Sequence, residues 1–110
     1  MTDCIFCKIA NHEIPTTPVY EDENVIAFND LNPQAPVHIL VIPKKHTASL
    51  TEVSDEDMMN YLFKAVRKIV KQENISSFRT VINTGSDAGQ TVFHLHIHIL
   101  AGRPLLWPPG

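Results

Sequence analysis

His94-Leu95-His96-Ile97-His98-Ile99-Leu100 alternates imidazole and aliphatic side chains with a period of two. In an extended strand that period puts His94, His96 and His98 on one face and Leu95, Ile97 and Ile99 on the other. Neighbouring imidazoles then stand roughly 6.6–6.8 Å apart along the chain. A helix would scatter them around its axis. The aliphatic face reads as core. The histidine face needs something that uses imidazole: a metal, a phosphate or a bond to be broken. A lone strand histidine is usually a hydrogen-bonded, half-buried residue. Three in strict alternation are much harder to account for in that way.

The elements on either side build a sheet around this stretch. Just upstream, Arg79-Thr80-Val81-Ile82-Asn83 reads as a strand, and Gly85-Ser86-Asp87-Ala88-Gly89 as a turn of glycine and short polar residues. A hairpin ending in the three histidines follows. Farther back, Met59, Leu62, Phe63, Val66, Ile69 and Val70 recur at helical spacing. Ser54 is the expected N-cap, with Asp55, Glu56 and Asp57 at the positive end of the helix dipole. Lys64, Arg67, Lys68 and Lys71 form a solvated face, and Asn74 is a stop. Val37 to Ile42 is apolar on both faces except at His38, which suggests a central strand covered on both sides. Val25-Ile26-Ala27-Phe28 and Val19-Tyr20 are further strands. Cys4 to Ala10 is one or two helical turns, ended by Ile14-Pro15 and Thr17-Pro18. The class is α+β: an antiparallel sheet of about five strands, one long helix and a short N-terminal helix.

At 110 residues the chain is expected to form a single domain, 1–110. The tail, 103–110, carries three prolines and a tryptophan and belongs on a surface, near a subunit boundary. The net charge of −3 argues against broad binding to nucleic acid or an anionic membrane. No apolar run is long enough to span a bilayer, and the first residues carry no basic n-region. Cys4-x-x-Cys7 points to a reducing compartment, with the cytoplasm as the default and nuclear entry open to so small a chain. No Gly-x-x-x-x-Gly-Lys phosphate loop is present.

The His-aliphatic-His-aliphatic-His-aliphatic-aliphatic pattern resembles the signature of the histidine triad (HIT) family of nucleotide hydrolases and transferases. Pro36-Val37-His38-Ile39-Leu40-Val41-Ile42-Pro43-Lys44 is similar to that family's second block. Asn83 and Gly89-Gln90-Thr91-Val92-Phe93 are similar to the run leading into the triad. Trp107-Pro108-Pro109-Gly110 resembles the tail of the Hint branch, the histidine triad nucleotide-binding proteins. The similarity runs from about residue 4 to the end of the chain.

Neutral imidazole can attack phosphorus, giving a nucleotidyl-histidine adduct that water later cleaves. The other ring N–H must be held by a carbonyl or carboxylate. The middle histidine is flanked on its own face by two others, so geometry favours His96 as nucleophile, with His94 and His98 as donors and proton carriers. The resemblance implies the same nucleophile, a phosphate contact for His98 and a place for His38 in the proton network. It also implies a ribose-binding role for Asp30 and Leu31. From the residues alone, Asp30 reads first as a turn aspartate capping its own loop. Ile5, Phe6, Ile9, Ile14, Phe28 and Leu31 could line a purine slot; without the resemblance they read as core. Asn83, Gly89, Gln90, Thr91 and Val92 match positions around the α-phosphate.

The cysteine pair is half of a tetrahedral zinc site in many proteins, and His46 and His94 are the candidates to complete it. The alternative is a pair of small, buried, reduced cysteines. Such zinc would be structural, because four protein ligands leave no open position. Many Hint-branch members lack this pair, so it is a departure. The resemblance implies a purine nucleoside phosphoramidase that binds purine nucleoside monophosphates, cleaves AMP-amine conjugates and works as a homodimer. The alternatives are a dinucleoside polyphosphate hydrolase, against which the tail argues, and a nucleotide-binding interaction module with vestigial catalysis.

Overall fold

The computed structural model describes residues 3–110. In chain order the elements are α1 (Ile5–Ala10), β1 (Tyr20–Glu21), β2 (Val25–Asn29), β3 (Val37–Pro43), α2 (Met58–Gln72), β4 (Phe78–Val81) and β5 (Ile97–Ala101). The strands form one antiparallel sheet in the order β1-β2-β3-β5-β4. The α+β expectation of five antiparallel strands, one long helix and a short helix therefore describes the fold.

The continuous apolar run of β3 marks the central strand, and it is covered on both faces. Ile39 and Val41 join Val25, Ala27, Leu95, Ile97 and Ile99 under Leu62, Val66 and Ile69 of α2. Leu40 and Ile42 face the other way, with Ile26 and Phe28, and pack against Phe6 and Ile9 of α1. Each fully buried Ile or Leu contributes about 1.5–3 kcal/mol relative to exposure. The two-sided core therefore fixes β3 and its neighbours firmly. Met58 and Ala65 belong to the buried face of α2 as well.

Helix α2 begins later than expected. Ser54 is not its N-cap; Asp57 occupies that position. The reason lies in Asp55, whose carboxylate accepts from Asp57 N–H at 2.9 Å and from Tyr61 O–H at 3.4 Å. That local turn consumes the acidic run before the helix starts. At the other end Asn74 adopts φ +57°. Asn74 N–H donates to Lys71 O, and Ile75 N–H to Val70 O, the paired bonds of a left-handed helix stop.

The expected hairpin is looser than read. β4 ends at Val81, and a long connection with a short 3₁₀ turn, Ser86–Ala88, precedes β5. The three histidines also do not share one straight strand. Ladder pairing between β3 and β5 stops at Val41↔Ile97. One residue beyond the next pair stands Pro43, which has no N–H to donate. The segment before Ile97 leaves the sheet, and Leu95 N–H bonds Thr47 O at 2.7 Å instead. Leu95, Ile97 and Ile99 still bury together as expected. Only the imidazoles are redirected.

Candidate active site

β3 and β5 bring His38 and His98 to the same face, where His38 Nε2 lies 2.9 Å from His98 Nδ1. The His96 and His98 ring centres are 5.0 Å apart, closer than an unbroken strand would hold them. His96 Nδ1–H donates to the carbonyl of His94 at 2.7 Å. This leaves the Nε2 lone pair of a neutral ring uncommitted. Phe6 presses edge-on against the His96 ring, with centres 5.1 Å apart and planes at 89°.

His38, His96 and His98 line a cleft of ≈ 860 Å³. Its apolar wall is Ile5, Phe6, Ile9 and Ile14 with Phe28 and Val92; its rim carries Asp30, Leu31, Gly89 and Thr91. Gly89 has φ +99°, a conformation that favours glycine. Leu31 is fully exposed at the mouth. Asp30 has both of the features weighed for it. One carboxylate oxygen accepts Asn32 N–H at 2.8 Å, closing its own turn, and the other lies 3.5 Å from His38 Nε2.

Two expected nucleotide-binding residues lie outside the lining. Asn83 sits beside Gly89. Gln90 is turned inward, accepting Gly85 N–H and donating to Ala48 O and Val92 O. It braces the loop from beneath. Pro15, Thr16, Thr17, Asn29, Asn32, Gln34 and Leu40 line the cleft without having been singled out. Thr16 and Thr17 lie between prolines that read only as chain breakers. The most consequential of these residues is Gln34, whose backbone N–H donates to His38 Nδ1 at 3.0 Å. A peptide N–H leaves no mark in a sequence.

The His94 ring does not line the cleft. It is fully buried, and its Nε2–H donates to Pro43 O at 2.7 Å. Nδ1 then carries a lone pair, which lies 3.3 Å from Cys4 Sγ, 3.5 Å from Cys7 Sγ and 3.2 Å from His46 Nδ1. Cys7 Sγ is 3.2 Å from His46 Nδ1. All four donor atoms lie within 4.8 Å of one another. A tetrahedral zinc ion with bonds of about 2.0–2.3 Å spaces its donors about 3.3–3.8 Å apart. The four separations of 3.3, 3.5, 3.2 and 3.2 Å among Cys4 Sγ, Cys7 Sγ, His46 Nδ1 and His94 Nδ1 match that spacing closely. Burial pushes the pKa of His94 down, which keeps it neutral as a ligand must be. Cys7 N–H also donates to Cys4 Sγ at 3.3 Å, so α1 starts on the thiol itself.

Asp30, His38 and His98 also converge within 4.8 Å. There the two imidazole nitrogens already share a proton, and Gln34 occupies the other nitrogen of His38. That arrangement suits proton transfer better than metal ligation.

Burial first, then the neighbouring His96 and His38 rings, push the pKa of His98 down to about 4. The depressed value means that folding favours the neutral ring. Its contribution to stability is complete above the ordinary value of about 6.5 and is lost as pH falls toward 4. NMR titration of the ring protons is expected to give a His98 midpoint near 4. A midpoint near 6.5 would show the ring to be solvated, contrary to its place in the cleft.

Residues 11–105 match the HIT domain family. An uncharacterized HIT-like protein of Synechococcus elongatus is 54% identical over 111 residues, spanning 98% of this chain and 97% of that protein. A 14 kDa zinc-binding protein of Zea mays is 46% identical over 111 residues, spanning 96% of this chain and 87% of that protein. The crystal structure of a HIT family hydrolase from Legionella pneumophila Philadelphia 1 has the same fold. It matches with a TM-score of 0.93 at 46% identity, covering 98% of this chain and 100% of that one. In sequence and in fold alike, the chain belongs to the HIT domain family.

Proposed function

We propose that the cleft hydrolyses the P–N bond of purine nucleoside 5′-phosphoramidates, AMP-amine conjugates in particular. The observation that carries this reading is the His96 tautomer. Its Nδ1–H is held by the His94 carbonyl, so the neutral ring lining the cleft keeps Nε2 as a nucleophile. Attack forms an N–P bond and breaks the P–N bond of the substrate. The leaving amine takes a proton through His98, whose ring lines the cleft and whose Nε2 has no partner; because that ring is neutral, the proton it passes on is made good from solvent, and hydrolysis of the adduct returns one. Water then cleaves the nucleotidyl-histidine. The apolar wall of Ile5, Phe6, Ile9 and Phe28 accepts the base, and Asp30 accepts from the ribose hydroxyls.

The Trp107-Pro108-Pro109-Gly110 tail supports assignment to the Hint branch. Leu106 and Trp107 expose apolar surface there, which favours a second copy of the chain as its cover. Cys4, Cys7, His46 and His94 hold zinc. The donor set and spacing support this, and the Zea mays relative is named a zinc-binding protein. The ion would supply a cross-link that ties α1, and with it the apolar wall, to the segment carrying His96.

Rates on an AMP-amine conjugate and on diadenosine triphosphate test the substrate class. The conjugate is expected to show the higher kcat/KM, by about a hundredfold or more, a transition-state difference of about 2.7 kcal/mol. The reverse order would assign the cleft to polyphosphate hydrolysis. Saturable AMP binding without turnover of either would leave an interaction module.

A further inference from the structure

We infer that Arg103 is a positioning residue for the His38–His98 pair, a role that rests on the hydrolytic reading of the cleft. The chain of hydrogen bonds starts from one unambiguous donor. The Gln34 peptide N–H can only donate, so His38 Nδ1 at 3.0 Å carries a lone pair. The single proton of the neutral His38 ring therefore sits on Nε2. That nitrogen faces His98 Nδ1 at 2.9 Å, which must accept. The proton of His98 is then on Nε2. Among the described residues, His98 Nε2 is the one buried side-chain nitrogen or oxygen with no hydrogen-bond partner. One backbone proton thus sets the tautomer of two rings in series and leaves an unpartnered donor on a ring that lines the cleft.

The Gln34 amide works only if its loop is held. Arg103 does this from outside the cleft. Its guanidinium donates to the carbonyl of Gln34 at 2.9 Å and to that of Pro104 at 3.0 Å. The peptide units on the two sides of the Gln34 Cα are thereby tied to opposite partners, Arg103 and His38. Gly102 brings the arginine in close. It adopts φ +95°, and a Cβ there would lie 2.8 Å from Pro36 Cβ. Only glycine lets the chain leaving β5 press against the loop at this point. The segment that carries His98 near the start of β5 thus also carries, two residues beyond the strand, the clamp that sets its proton.

An ordinary surface hydrogen bond would change neither catalysis nor tautomers when removed. The readouts are kcat and KM on an AMP-amine conjugate, together with imidazole ¹⁵N shifts of the substrate-free protein. Arg103→Ala is expected to lower kcat about tenfold with KM nearly unchanged, a partial loss of a general-acid contribution of about 10²–10⁴. The His38 Nδ1 and His98 Nε2 signals should move toward the averaged values of exchanging tautomers. Arg103→Lys should restore most of both. Arg79→Ala releases the tail carbonyls of Leu105 and Leu106 but not Gln34, and should leave the shifts in place. Unchanged shifts in Arg103→Ala, or equal movement in Arg79→Ala, would overturn the role. Because the shifts need no substrate, they separate this inference from the substrate assignment. A wild-type protein that ignores the conjugate yet shows the Arg103-dependent shifts would sink only the latter.

Discussion

His96→Ala is expected to abolish release of the amine from an AMP-amine conjugate while AMP still binds within a few-fold of wild type. The asymmetry follows from where the ring stands. His96 is buried against Phe6, and its Nδ1–H is committed to the His94 carbonyl. On the proposed mechanism its remaining nitrogen attacks phosphorus, but the ring supplies little of the surface that would hold a base or ribose. Those come from the wall of α1, from Phe28 and from Asp30. Removing an attacking group while leaving the binding surface costs at least about 10³-fold in kcat in enzymes that form covalent intermediates. Quenching the wild-type reaction without acid should trap labelled AMP on one histidine, and the variant should trap none. Near-wild-type kcat in the variant would end the covalent mechanism.

The second large effect is expected at the thiol cluster. Stripping metal with a chelator, or replacing Cys7 with alanine, should lower Tm by about 10–15 °C. A loss of about 3 kcal/mol in a domain of this size shifts the midpoint by that order. Calorimetry on the purified protein before and after chelation, with an absorption scan at the zinc edge, checks both halves of the claim. A protein that holds no metal and melts at the same temperature with chelator would reduce the cluster to buried thiols and imidazoles. Burial of His94 lowers its pKa, so the neutral ligand persists at mildly acidic pH.

The parts of the fold legible in the sequence are those where a pattern repeats without competition. The run from Val37 to Ile42, apolar except at His38, suggests a strand covered on both faces, and it is central. The α2 stripe was legible because six apolar positions agree on one face. Its start was not, because Ser54 followed by an acidic run reads as a cap and first turn, whereas a turn at Asp55 moves the cap to Asp57. The histidine alternation identified a special segment but suggested too simple a geometry. Pro43, 51 residues before His94 in the chain, stops the ladder and sends the His94 ring to the thiols. Cys4 and Cys7 announced a pair, and His46 and His94 do converge on it. Gln34 was silent because a main-chain amide acts whatever its side chain. Gln90 misled in the opposite sense: its neighbours line the cleft, while its own amide ties the loop from below.

His94 serves two masters at once, since its ring enters the sulfur cluster and its carbonyl holds the imidazole proposed as nucleophile. An engineer wishing to harden this protein against oxidants by deleting the thiols would thereby loosen the peptide that aims the catalyst. If both proposals hold, durability and turnover share one residue.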